Sequence, residues 1–157
     1  MMKFIWIVPL IVIGACRPAS EVSTTSDDTA TGMENVYTPS ESPENAKVYI
    51  IEPEDGAIVP SGTVTVRFGL SKMGVAPAGI DFPHAGHHHL LVNAAELPPM
   101  DQPIPADSAH LHFGTGQTET DLDLAPGIYT LQLLLGDFAH IPHEPPVLSE
   151  PVTITVQ

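Results

Sequence analysis

Short runs of apolar and β-branched residues, separated by turns that contain Pro or Gly, fill the chain from Lys47 to its end. No stretch there repeats its apolar residues at the period of a helix, so the pattern is typical of β-strands. It predicts seven strands, at residues 48–52, 63–69, 87–93, 110–113, 119–124, 128–135 and 152–156. Turn signals such as Pro60-Ser61-Gly62 and Pro126-Gly127 lie between them. This spacing favours an all-β fold, an immunoglobulin-like Greek-key sandwich over residues 47–157.

Two local patterns support the sandwich. The stretch PEDGA at residues 53–57, followed by VTVRF at 64–68, resembles the first hairpin of many extracellular immunoglobulin-like modules. Later, LAPGIY at residues 124–129 places Tyr129 where a tyrosine corner would have its tyrosine, whose hydroxyl bonds back to upstream backbone. From Tyr129 onwards, every second residue is apolar as far as Leu135, as a half-buried strand requires.

The start of the chain predicts export and a lipid anchor. A positive start at Lys3 precedes ten apolar residues, 4–13, which are too few to span a bilayer but fit the core of a secretory signal peptide, residues 1–15. Small residues then lead directly to Cys16, as in the lipobox of bacterial lipoproteins, where the new N-terminal cysteine is acylated. Because residue 17 is Arg rather than Asp, the resemblance favours the outer membrane, facing the periplasm.

Residues 16–46 are rich in Ser, Thr, Glu, Asp and Pro, which predicts a disordered acidic tether between the anchor and the domain. The whole chain has 5 Lys+Arg against 19 Asp+Glu, a net charge of −14. Such a surface repels phosphate backbones and anionic lipids, which argues against nucleic acid as a partner and leaves cations as the natural attraction. Cys16 is the only cysteine, so the domain can form no internal disulfide.

All eight histidines lie in the predicted sandwich. Alternation along a strand puts His110 and His112 on one face, and it puts His87 and His89 outward if His88 faces the core. If these two strands are neighbours, three or four imidazoles would meet, as in zinc and copper sites. A proline-bounded loop adds a further pair. The candidate metal ligands are therefore His87, His89, His110, His112, His140 and His143, with His84 as a possible extra ligand.

Other readings of these residues stay open. The histidines could instead form hydrogen bonds in a structural or interaction module with an unidentified envelope partner. Met73 could supply a thioether that favours Cu(I), although a methionine beside a glycine more often fills a gap in the core. The sequence has no nucleophile elbow, Walker loop or Rossmann glycine pattern, so it does not point to an enzyme. A metal-dependent hydrolase with an open coordination position is the third possibility.

Five stretches together resemble a known family: FGLSKMGVAPAG, GHHHLLV, HFGTGQTET, PGIYTLQLLLGDFAHIPH and PPVLSEPVTITV. They are similar to a bacterial domain of unknown function, family 4399, over about residues 48–157. The resemblance implies an exported, often lipid-anchored protein and carries no catalytic or ligand residues to this chain. The strand of Tyr129 also resembles that of periplasmic copper-resistance sandwiches, but this chain lacks their N-terminal histidine.

Overall fold

The computed structural model describes residues 37–157. The predicted signal peptide, Cys16 and residues 17–36 of the predicted tether lie outside the described residues. Within the described part, the chain forms nine strands and no helix, so no helix there is long and apolar enough to cross a membrane. The strands are β1 (Lys47–Glu52), β2 (Ile58–Val59), β3 (Gly62–Ser71), β4 (Gly74–Val75), β5 (Ala85–Val92), β6 (His110–His112), β7 (Glu119–Leu124), β8 (Gly127–Gly136) and β9 (Val152–Val156).

These strands form two sheets, which confirms the predicted all-β sandwich. One sheet has the order β1-β3-β7, and the other has the order β2-β9-β8-β5-β4, with β6 also paired to β5. All seven predicted strands are present, with ends that differ by at most a few residues. The sequence missed β2 and β4, because two residues are too short to show an alternation. Both are edge strands that pair in parallel, β2 with β9 and β4 with β5.

The main core lies between the sheets and contains one side of each long strand. Val66 and Phe68 of β3 face Leu133 and Leu135 of β8, and all four side chains are buried. Burying a side chain of this size contributes roughly 1.5–3 kcal/mol. Because the domain has no disulfide, its stability depends on this layer. The tyrosine corner is also present, since the Tyr129 hydroxyl donates to the backbone carbonyl of Ala125 at 3.1 Å.

A second, smaller core covers the outer face of the β5–β8 sheet. Leu91 and Leu134 point away from the main core, and Ile104 from the long loop between β5 and β6 packs on them. Met100 and Leu148 lie at the margin of this cluster. The outer face of β5 is therefore an interior surface, and the histidines on it are buried too.

Residues 37–42, which the sequence places in the tether, are hydrogen-bonded to the sandwich. Ser42 N donates to Glu144 O at 3.0 Å, and Glu144 N donates to Ser40 O at 3.0 Å. The hydroxyl of Tyr37 donates to the carboxylate of Asp137. We call residues 37–42 the N-terminal strap.

Candidate metal centre

Strand β5 places its three consecutive histidines on opposite faces of one sheet. His88 points inward, where its ring lies 5.2 Å from the ring of Phe68. His87 and His89 point to the outer face, as the sequence predicts. Both have no exposed surface, because the loops around the second core cover them.

Four imidazole rings meet on this outer face. We call His87, His89, His112 and His140 the histidine cluster. Strand pairing brings His112 directly opposite His89, and their ring centroids are 5.0 Å apart. The ring of His140 lies 5.0 Å from that of His87 and 4.8 Å from that of His112. One ring nitrogen from each of His87, His89 and His112 lies within 4.8 Å of the other two.

The spacing of the two buried rings fits two ligands of a single ion. Nε2 of His87 and Nε2 of His89 are 3.1 Å apart. Two nitrogens about 2.0–2.1 Å from a zinc ion in tetrahedral geometry would lie roughly 3.3 Å from each other. The same separation allows a hydrogen bond in which one ring donates to the other, so the rings can pair without metal as well.

The other nitrogens of the two buried rings have no partner. Within residues 37–157, Nδ1 of His87 and Nδ1 of His89 are buried and make no hydrogen bond to the protein. A neutral imidazole carries one N–H, so the mutual Nε2 hydrogen bond still leaves at least one buried N–H without an acceptor. An unsatisfied buried polar group costs about 1–3 kcal/mol. A metal ion at Nε2 would hold both rings in the neutral form but would not itself satisfy Nδ1.

At His87, His89 and His112 the electrostatics favour neutral rings, the form that binds metal. The pKa of His87 is lowered to about 4, by burial first and then by the neighbouring His140 and His112, against the raising effect of Asp137. Burial likewise lowers the pKa of His89 to about 2, with His87 as the next contribution. The pKa of His112 is lowered by burial first and by His140 second.

The fourth ring of the cluster comes from the turn that follows β8. His140 closes this turn with a left-handed backbone, at φ 66°. Its amide donates to Asp137 O at 2.9 Å, and its carbonyl accepts from Ile104 N at 2.8 Å. Glycine is the usual residue in a left-handed position that closes such a turn, and a residue with a side chain costs about 1–2 kcal/mol there. The turn therefore holds the imidazole of His140 at a position where the backbone conformation favours glycine, which has no side chain.

Two of the six candidate ligands have other contacts. His110 lies next to the cluster, opposite Leu91, and its Nδ1 is 2.9 Å from the carboxylate of Asp107. The buried His143 has both ring nitrogens beside backbone oxygens, Nδ1 at 3.4 Å from Leu135 O and Nε2 at 3.2 Å from Ala85 O. Neither ring joins the group of three nitrogens within the described chain, and neither does that of His140, whose ring nonetheless packs against the group.

Three further side chains considered in the sequence lie apart from the cluster. His88 Nδ1 lies 3.2 Å from Gln117 O, and burial lowers the pKa of its ring, so its role is structural. His84 is exposed in the turn before β5. Met73 packs against the main core, which confirms the interpretation of this methionine as a core residue.

Two glycines that sequence reasoning missed shape the cluster together with Asp137. Gly136 lies opposite His87 in the sheet, and a Cβ there would be 2.9 Å from Nε2 of His89. A Cβ on Gly114 would overlap the ring of His112. Asp137 accepts hydrogen bonds from backbone in the turn that contains His140. The glycines could have been noticed because each lies close to a histidine in sequence, but only the fold shows which ring needs the space.

The fold and this site define a β-sandwich with a half-buried cluster of imidazoles on the outer face of one sheet. The family model for the domain of unknown function DUF4399 matches residues 66–157, which include the whole histidine cluster. The chain therefore belongs to the DUF4399 family, as the sequence motifs predict. No curated protein matches the chain significantly.

Proposed function

We propose that this domain binds a transition-metal ion, copper or zinc, through His87, His89, His112 and His140. The observation that carries the proposal is the meeting of three ring nitrogens within 4.8 Å, two of them on fully buried rings. Imidazole nitrogens are preferred ligands of both metals. The domain would serve as a buffer, carrier or sensor of that metal in the cell envelope.

The chemistry around the cluster supports an ion of this kind. All four candidate donors are imidazole nitrogens, and Met73 packs against the main core, so nothing in the cluster favours Cu(I) through sulfur. The carboxylate of Asp137 acts electrostatically on His87 and would offset part of the charge of a bound cation. His112 is exposed, which provides a route by which an ion can enter.

The location is part of the same proposal. The apolar run before Cys16 favours cleavage and acylation at this cysteine, with the domain facing the periplasm from the outer membrane. The acidic surface, with a net charge of −14, would then raise the local concentration of cations near the cluster.

Metal titration of the full-length chain in detergent tests the proposal. The Cys16→Ser background prevents acylation and leaves no thiol that could bind either metal in unacylated chains. After treatment with a chelator, we expect about one equivalent of Zn²⁺ or Cu²⁺ to bind, with an increase in melting temperature because the ion binds the folded state. The variant His87→Ala, His112→Ala should abolish both effects, whereas His84→Ala, outside the cluster, should change neither.

Two results would contradict the proposal. One is a wild-type affinity for both ions weaker than a few tens of micromolar, on the order of 6 kcal/mol. The other is binding that survives the loss of His87 and His112. Either result would favour the alternative in which the histidines are structural, as His88 and His143 already are.

A further inference from the structure

The N-terminal strap contacts Asp137, the residue that holds the turn containing His140. Asp137 is buried with no exposed surface, and one of its carboxylate oxygens accepts from Ala139 N at 2.9 Å and from Ile141 N at 3.1 Å. These two amides flank His140 in the chain. The carboxylate therefore fixes the backbone on both sides of the fourth ring of the histidine cluster.

The other carboxylate oxygen of Asp137 faces the strap. It accepts a hydrogen bond from the hydroxyl of Tyr37, and Ser40 N lies 3.3 Å from it. The ring of Tyr37 also packs on that of Phe138, with centroids 6.0 Å apart. Together with the two backbone hydrogen bonds between the strap and Glu144, these contacts join the strap to both ends of the loop that contains His140.

This arrangement resembles the outer hydrogen bonds that orient metal ligands in proteins. A left-handed backbone at His140 is unfavourable and persists only where its surroundings hold it. Two of the groups that bond Asp137 come from a segment about one hundred residues earlier in the chain, so they do not form with the turn itself.

We propose that the N-terminal strap positions His140 through Asp137, and that docking of the strap thereby raises the metal affinity of the histidine cluster. Tyr37 and Asp137 are positioning residues that do not contact the ion. The inference rests on the proposed metal binding. It gives part of the segment that the sequence assigns to the tether a role in regulating the site.

A double-mutant cycle tests the inference in the full-length Cys16→Ser chain. Tyr37→Phe keeps the ring that packs on Phe138 and removes only the hydroxyl that donates a hydrogen bond to Asp137. We expect it to weaken Zn²⁺ binding about tenfold, the lower end of the effect of losing an outer hydrogen bond. In the His140→Ala background, the same substitution should cause no further loss, because the ring that it positions is gone.

The matched control is Tyr129→Phe, which removes a hydroxyl that donates to backbone in the tyrosine corner. It should leave Zn²⁺ affinity unchanged. A metal-free measurement accompanies the cycle: the ring resonances of His140 in NMR spectra should shift in Tyr37→Phe and stay in place in Tyr129→Phe.

The outcomes separate the two proposals. If the wild type binds Zn²⁺ and Tyr37→Phe binds it equally well, the strap does not regulate the site and the inference is overturned alone. The same conclusion follows if Tyr37→Phe weakens binding as much without His140 as with it. If the wild type binds no metal, the proposed function fails, and the strap then has no affinity to raise. Unmoved His140 resonances in Tyr37→Phe overturn the positioning in either case.

Discussion

Acidification should destabilise the metal-free domain well before its carboxylates are protonated. Burial lowers the pKa of His87 to about 4 and that of His89 to about 2, whereas an unfolded histidine has a pKa near 6.5. The unfolded chain therefore binds more protons than the folded chain below pH 6.5. Stability from these rings is fully present above that pH and is lost progressively as the pH falls from there towards the folded pKa values.

The loss in the free energy of unfolding follows from how far the pH lies below the pKa of an unfolded histidine. At pH 5, about 1.5 pH units below the unfolded pKa, each ring that stays neutral in the fold costs about 2 kcal/mol, since one unit corresponds to 1.36 kcal/mol. The two rings together should remove about 4 kcal/mol from the free energy of unfolding. This is a large share of the 5–15 kcal/mol that is usual for a domain. The hydrogen bonds of Asp137 outweigh the raising effect of burial, so the pKa of its carboxyl is lowered. Protonation of Asp137 therefore does not contribute to the loss of stability at pH 5.

Urea unfolding at pH 7.5 and pH 5, with chelator present and circular dichroism as the signal, measures this difference. The control is the double variant His87→Gln, His89→Gln, in which most of the difference between the two pH values should disappear. His84→Gln, in an exposed turn, should keep the wild-type difference. A wild-type free energy that changes by less than about 1 kcal/mol between the two pH values would refute the reasoning. The rings would then be accessible to protons in the native state.

Four further outcomes are expected. The apo form of His140→Gly should be more stable than that of His140→Ala by about 1 kcal/mol in urea unfolding, because glycine relieves the left-handed backbone; equal stability would contradict the strain at this turn. Gly114→Ala should displace the ring of His112 and weaken Zn²⁺ binding roughly tenfold in titrations, with little change in unfolding. Tyr129→Phe should lower the free energy of unfolding by about 1 kcal/mol through the lost hydrogen bond. Cys16→Ser should leave uncleaved precursor on gels of cell fractions, and mature-size protein in the membrane fraction would argue against the lipoprotein.

The sequence determined most of the fold, because its evidence is local. The period of two in runs such as Tyr129 to Leu135 depends only on strand geometry, and it predicted both the strand and its buried face. The same rule separated His88 from His87 and His89. It also placed His110 and His112 on one face, so the pairing of β5 with β6 was enough to bring His89 opposite His112.

The tertiary structure decided the composition and the environment of the histidine cluster. Alternation predicted an outer face for His87 and His89, but their complete burial comes from loops that fold back over that face. Loop geometry also decided that His140 joins the cluster while His143, three residues later, bonds to backbone oxygens. The contacts that make these choices join residues as far apart as Tyr37 and Asp137. A local pattern does not encode such a pairing, because it depends on how separate segments pack once the sheets have formed.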